Sequence, residues 1–209
     1  MRVAILSESS ADESALRVLV DALLGVKTDH VEMNLQSRGW PAVRNILPTI
    51  SKWLQYRTDA EGLVVVVDSN HTYLSRNEPK NRLRDFQELV QHCQQALKPV
   101  SGRVPLKIAI GVAAPAIEAW MLCKSNQKIS EAAWEKGLAD KRDPYSKQEL
   151  KRLLYGSDYS SLTLMTHKMT EAARDVVGNL ELLENAFPSG FGSLARELRG
   201  WRRIDHPTP

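Results

Sequence analysis

The chain has 209 residues, of which 43% are hydrophobic and 25% are charged, and its formal net charge is +3. This composition is typical of a globular protein, and no apolar run reaches the roughly 20 residues of a membrane-spanning helix. The apolar run after Arg2 is too short for a signal peptide, and Cys93 and Cys123 lack CxxC or Cys/His spacing. We therefore expect a cytoplasmic protein with reduced thiols, without a membrane segment or a zinc site.

Apolar strands alternate with amphipathic helices in the first part of the chain. The strands are predicted at residues 2–7, 29–35, 62–67 and 105–112. Helices are predicted from Ser9, from Gly39 to Arg57 with a kink or break at Pro48, from Pro79, and from Ala116 to Cys123. Strands as apolar as Val64–Val67 are typical of a parallel sheet covered on both faces, so the pattern predicts an α/β fold.

The second part of the chain is polar and helical in pattern, without further strands. The sequence thus predicts an α/β core over residues 1–127, with a mostly parallel central sheet flanked by helices. Residues 128–209 are predicted to form a helical extension packed on that core.

Acidic residues follow two of the predicted strands. Glu8 comes after the first strand, and Asp68 follows Val67 at the end of another. Ligands of open parallel sheets bind outside the carboxyl ends of the strands. Two carboxylates brought together there would repel each other, and Mg²⁺ or Mn²⁺, which prefers oxygen ligands, would relieve that repulsion. Alternatively, Glu8 stabilises a helix N-terminus and Asp68 closes an Asx turn.

Four further residues are candidates for the same site. Asn70 stands two residues after Asp68, a spacing that lets both side chains share a face of an extended chain. Glu118 lies in the first turn of a predicted helix, where it either faces the crevice or responds to the helix dipole. Lys147 is either a solvated surface lysine or a group that stabilises a phosphate transition state. His71 could carry a proton, although a loop histidine more often has no such role.

Basic residues cluster near the acidic positions. The first cluster contains Arg76, Lys80, Arg82 and Arg84. A second contains Arg196, Arg199, Arg202 and Arg203, around Trp201. Each cluster is either a solvated helix face or a surface that contacts nucleic-acid phosphates. The chain has no GxxxxGK[ST], GxSxG or HExxH motif, so a P-loop ATPase, a serine hydrolase of that type and a zincin are excluded.

In chain order, these residues resemble the TOPRIM domain of topoisomerases, primases and OLD-type nucleases. Glu8 matches the first acid of that pattern, Asp68 matches the first Asp of its Asp-x-Asp pair, and Asn70 stands where the second Asp is expected. The chain is more closely similar to small TOPRIM-like proteins of bacterial phage-defence operons, including RloB-like proteins. That similarity covers residues 7–13, Glu118–Leu122, Pro144–Lys147 and Phe187–Phe191.

The resemblance implies a metal-dependent nuclease that acts as a defence effector. In this interpretation Glu8, Asp68, Asn70 and Glu118 hold Mg²⁺ or Mn²⁺, and Lys147 with the first basic cluster holds the phosphate backbone. Nucleic acid is the implied partner, together with an ATPase encoded in the same operon; self-association into a homo-oligomer stays open. Asn70 favours a second hypothesis, a catalytically weak TOPRIM-like module that binds nucleic acid or a protein. A third, a nucleotide-sensing α/β protein, is disfavoured because Ser9 and Ser10 replace the glycines of a phosphate loop.

Overall fold

The protein is an α/β protein with a four-stranded, all-parallel sheet in the order β2-β1-β3-β4. The structure is a computed structural model that describes residues 1–33, 39–74, 81–157 and 159–204, without the side chains of residues 203 and 204. Its elements in chain order are β1 (Arg2–Leu6), α1 (Ser10–Leu24), β2 (Asp29–His30), α2 (Gly39–Arg57), β3 (Gly62–Asp68), α3 (Arg82–Ala96), β4 (Lys107–Ala113), α4 (Ile117–Leu122), α5 (Glu131–Ala139), α6 (Lys147–Tyr155), α7 (Leu162–Val177), α8 (Leu180–Ala186) and α9 (Phe191–Ile204).

The sheet is buried on both faces, as its continuous apolar strands predict. Successive strand residues point to opposite faces, which separates the core into two clusters. One face buries Val3, Ile5, Val64, Val66 and Ala109 against helices that include α1, α4, α7 and α9. The other face buries Ala4, Leu6, Leu63, Val65, Val67 and Ile108 against α2 and α3.

Some predicted elements have different bounds in the structure. The second strand is limited to Asp29–His30, and residues 34 and 35 of its predicted range lie outside the described residues. Pro48 does not break its helix: α2 is continuous, because Leu47 and Ile50 beside the proline are buried against the sheet. The predicted helix start at Pro79 also lies outside the described residues, and α3 begins at Arg82 with Asn81 as its N-cap.

The helices after residue 128 pack on the sheet layer. Helix α7 packs along α1, and α9 packs on β4, so residues from both predicted parts of the chain share one hydrophobic cluster. Trp201 of α9 is 3% exposed and lies over Gly62, the first residue of β3. Among the helices in the described part of the chain, none is long and apolar enough to cross a membrane.

Candidate active site at the carboxyl edge of the sheet

The two central strands carry Glu8 and Asp68 to the same edge of the sheet. Strand β1 pairs with β2 on one side and with β3 on the other. The chain therefore adds strands first to one side of β1 and then to the other, which makes the gap between β1 and β3 a topological switch point. Such a switch point opens a crevice outside the carboxyl ends of the strands. Glu8 lies directly at this crevice, where its Oε1 accepts a hydrogen bond of 2.8 Å from the backbone N–H of Asp68.

Asp68 is the centre of the polar contacts. Its Oδ2 lies 2.6 Å from Nζ of Lys147, which occupies the first turn of α6. Its Oδ1 accepts a hydrogen bond of 3.1 Å from the backbone N–H of Ile117, at the start of α4. Its backbone carbonyl accepts a hydrogen bond of 2.8 Å from Arg82. The C-terminal helices therefore contribute directly to the charge balance at the sheet edge.

Glu118 lies deeper in the same site and is 4% exposed. Its Oε1 accepts a hydrogen bond of 3.1 Å from the hydroxyl of Tyr155, at the end of α6. Glu118 also repels Asp68 electrostatically, so it belongs to the same group of acids. Its position in the first turn of a six-residue helix agrees with the predicted placement.

Asp12 is a fourth carboxylate of the site and was not among the residues predicted from the sequence. It interacts electrostatically with Asp68, Glu118 and Glu8. Asp12 lies one helical turn beyond Glu8, in a helix that begins with Ser9 as N-cap, whose hydroxyl accepts from the backbone N–H of Asp12. The spacing Glu8-x-x-x-Asp12 was the available signal, but it also fits an ordinary acid in the first turn of a helix.

Burial and mutual repulsion raise the pKa of three of these carboxyl groups. For Glu8, burial is the main cause and the charge of Asp68 adds to it; the Asp68 N–H, Lys147 and Arg82 act in the opposite direction. Burial likewise raises the pKa of Asp12 well above its usual range, with further contributions from Asp68 and Glu118. Burial and Asp68 raise the pKa of Glu118. In each of the three groups burial is the largest cause, and repulsion by the Asp68 carboxylate is the second.

Arg82 and Lys147 both contact Asp68, but they differ in their exposure to solvent. Arg82 is 8% exposed, and its guanidinium lies 4.0 Å from the ring centroid of Trp40. Burial lowers the pKa of Arg82, whereas Glu8 and Asp68 favour its charged form. The side chain of Lys147 is 35% exposed. Arg82 is therefore a fixed part of the site, while Lys147 is accessible from solvent.

The backbone at Asn70 contradicts the expectation that Asp68 and Asn70 share one face of an extended chain. Strand β3 ends at Asp68, and Asn70 adopts a left-handed conformation with φ of 53°. Its backbone N–H donates to the carbonyl of Pro115 at 3.0 Å. His71, the proton-carrier candidate, lies in the exposed loop that follows, 3.9 Å from Asp143. In the described part of the chain, neither side chain contacts Glu8, Asp12, Asp68 or Glu118.

The basic residues that were predicted to bind nucleic acid are distributed differently from the prediction. Arg82 lies inside the acidic site, whereas Arg84 is half-exposed and lies 3.8 Å from Glu88. Arg76 and Lys80 lie outside the described residues. In the C-terminal cluster, Arg199 pairs with Glu184 and Arg202 donates to the carbonyl of Ala22, so the described side chains of this group do not form one continuous free surface; the side chain of Arg203 lies outside the description.

The donor chemistry of the site suits a hard divalent cation, because its four acids supply only carboxylate oxygens. However, within the described ranges no group of three histidine, cysteine or acidic residues is arranged to hold a metal ion. Asp68 is bonded through both oxygens, to Lys147 and to the Ile117 N–H. Binding of a cation therefore requires at least one of these contacts to exchange.

Searches of protein-family models, of curated proteins and of solved structures find no match to this chain.

Proposed function

We propose that the protein is a metal-dependent phosphodiesterase of TOPRIM-like type, acting as a nuclease with Mg²⁺ or Mn²⁺. The observation that supports this proposal most strongly is the group of four carboxylates at the switch point of a parallel sheet, three of them with raised pKa values. A carboxylate group that resists ionisation binds a divalent cation in place of protons. The resemblance extends the proposal to a role as effector in phage defence beside an operon-encoded ATPase.

Each residue has a distinct role in this proposal. Once Lys147 has left Asp68, Glu8, Asp12 and Asp68 would hold the cation, with Glu118 behind them. The bound cation would polarise the scissile phosphate and lower the pKa of an attacking water. Arg82, fixed by Trp40, keeps the carbonyl end of β3 in place. Lys147, being partly exposed, can leave Oδ2 of Asp68 and contact a phosphate oxygen as negative charge develops on it.

The test uses isosteric substitutions that remove charge without removing volume. Glu8→Gln, Asp12→Asn and Asp68→Asn should each abolish cleavage of plasmid DNA or structured RNA in Mg²⁺ and in Mn²⁺. Asp175→Asn is the matched control, because Asp175 is 66% exposed and pairs with Lys124 on the surface. It should leave cleavage unchanged. Metal-dependent cleavage that survives in all three site variants would refute the assignment of the site.

The second candidate is a TOPRIM-like module that binds nucleic acid or a partner without cleaving. The occurrence of Asn70 and the contacts that already occupy Asp68 favour it. Asn70→Asp separates the two candidates by adding a negative charge two residues after Asp68: if low metal affinity limits a nuclease, this charge should raise cleavage at low metal concentration. Absence of cleavage in the wild type and in this variant, with nucleic-acid binding retained in Glu8→Gln, would favour the binding module.

A further inference from the structure

Two arginines from different helices meet at a cavity beside the acidic site. The cavity has a volume of about 520 Å³ and is lined by Arg84 and Gln87 of α3 and by Ser193 and Arg196 of α9. Leu83 and Pro188 contribute apolar surface. The described residues that line it include no carboxylate, so both formal charges facing the cavity are positive. We call it the arginine cavity.

The position of the arginine cavity is fixed relative to the acids. Arg82 and Arg84 both leave the first turn of α3, about 200° apart around the helix, so one reaches Asp68 and the other lines the cavity. On the opposite wall Ser189 lines the cavity, and Gly190 next to it in the chain lies against the carbonyl of Val112 in β4. The arginine cavity therefore lies at the same edge of the sheet as the acids, on the other side of the α3 N-terminus.

The guanidinium of Arg196 is held in place with donor capacity to spare. Its Nη2 donates to the carbonyl of Pro188 at 3.4 Å and to the hydroxyl of Ser193 at 2.9 Å. In the described part of the chain, its hydrogen bonds use Nη2 alone, while a guanidinium has five N–H donors. The wall that carries Pro188 is itself anchored, because the buried Glu131 accepts from the backbone N–H groups of Ser189 and Gly190.

We propose that the arginine cavity binds a phosphate group of a nucleic-acid strand, next to the phosphodiester that the acidic site hydrolyses. Two guanidinium groups across one cavity suit a phosphate, which accepts charge-assisted and bidentate hydrogen bonds. The volume fits one nucleotide unit, since small-ligand pockets typically span roughly 300–1,000 Å³. The assignment of the ligand as substrate strand rests on the proposed nuclease function; the assignment of a phosphate rests on the cavity alone.

The test compares Arg84→Gln, Arg196→Gln and the double variant with Arg57→Gln, a matched loss of charge at the exposed end of α2. Binding of a short labelled DNA or RNA strand is followed by fluorescence anisotropy in EDTA, from about 50 to about 200 mM salt. Each cavity variant should bind roughly tenfold more weakly, with a salt slope reduced by about one. Arg57→Gln should behave as wild type, and thermal denaturation checks that all variants fold.

A second arm identifies the source of the phosphate. Adenosine monophosphate and inorganic phosphate are titrated as competitors of the labelled strand. Competition that disappears in Arg196→Gln supports the phosphate site. Binding of adenosine monophosphate that depends on both arginines, with strand binding indifferent to them, would overturn the nucleic-acid assignment in favour of a free nucleotide. If neither ligand responds to the arginines, the phosphate site itself is overturned.

The outcome is separable from that of the proposed function. A wild-type protein that cleaves, with cavity variants of unchanged KM and unchanged strand affinity, would refute the arginine cavity and leave the nuclease in place. Arginine-dependent strand binding by a wild type that does not cleave would support the cavity and refute the nuclease.

Discussion

Lys147 occupies an oxygen of Asp68 that a metal ion would need, so replacing it should strengthen metal binding. The ammonium lies 2.6 Å from Oδ2 of Asp68. At the 2.6 Å separation, the Coulomb attraction is about 1.6 kcal/mol at the dielectric constant of water and about 6 kcal/mol at a dielectric constant of 20. The lysine side chain is 35% exposed, so solvent screening places the net contribution near the lower figure, at about 1–2 kcal/mol.

Lys147→Met should therefore lower the Kd for Mn²⁺ by about 5- to 30-fold, as measured by calorimetric titration. The same substitution should slow cleavage at saturating Mn²⁺, on the order of 100-fold, because it removes a group that stabilises the transition state. Lys168→Met is the control, since Lys168 pairs with Glu171 at 3.2 Å on the exposed face of α7. Weaker or unchanged Mn²⁺ affinity in Lys147→Met would refute the idea that the lysine competes with the cation.

Three further predictions concern the stability of the protein, without metal unless Mn²⁺ is named. Asp12→Asn should raise its free energy of unfolding near neutral pH by about 1–3 kcal/mol in chemical denaturation, because a desolvated charge repelled by other carboxylates is removed; a loss of stability would contradict this. The pKa values of Glu8, Asp12 and Glu118 are raised in the folded state from 4.5, 3.8 and 4.5 respectively. The folded state therefore binds more protons, and the stabilisation from these groups, fully present below the unfolded values, should be lost as pH rises through the raised ones. Chemical denaturation at several pH values should show that the free energy of unfolding declines less steeply with rising pH in Asp12→Asn, and in the wild type with saturating Mn²⁺, than in the metal-free wild type. Identical slopes would argue against a link between the protonation of these groups and stability. Gly190→Ala places a Cβ against the backbone carbonyl of Val112 in β4, closer than van der Waals contact allows, and should cost about 1–3 kcal/mol in thermal denaturation, whereas Gly200→Ala, whose Cβ would meet no atom beyond its own helix, should not destabilise.

The fold class was predictable because strand apolarity is a local signal. Every strand residue from Leu63 to Val67 is apolar, which indicates burial on both faces and hence a parallel sheet between helix layers. The short β2 was overestimated, since alternation in Val31 and Met33 fits a strand, whereas pairing with β1 covers only two residues. Periodicity describes which face is buried but does not say how far a neighbouring strand extends.

The candidate site was predictable only in part, because its geometry depends on contacts between distant segments. Glu8 and Asp68 were identified from their places at strand ends, and a contact between them was expected from the parallel sheet. Asp12 was missed because a first-turn acid has an adequate local explanation. The buried setting of Arg82 and the Tyr155 contact with Glu118 had no sequence signal, since both depend on how α3 and α6 pack.

The residues of the site lie far apart in the sequence, so they emerge at different times during synthesis of the protein. The Glu8–Asp68 contact spans 60 residues, and the Asp68–Lys147 contact spans 79. A nascent chain that has emerged only as far as α4 already carries all four acids but lacks the lysine, and the α1 surface that α7 covers is still open to water. During translation the acids therefore repel one another without their counter-ion, and closure of non-local contacts of this kind is slow. Because Lys147 competes with a cation for Asp68, a divalent ion present during translation should relieve this repulsion until α6 brings the lysine into place.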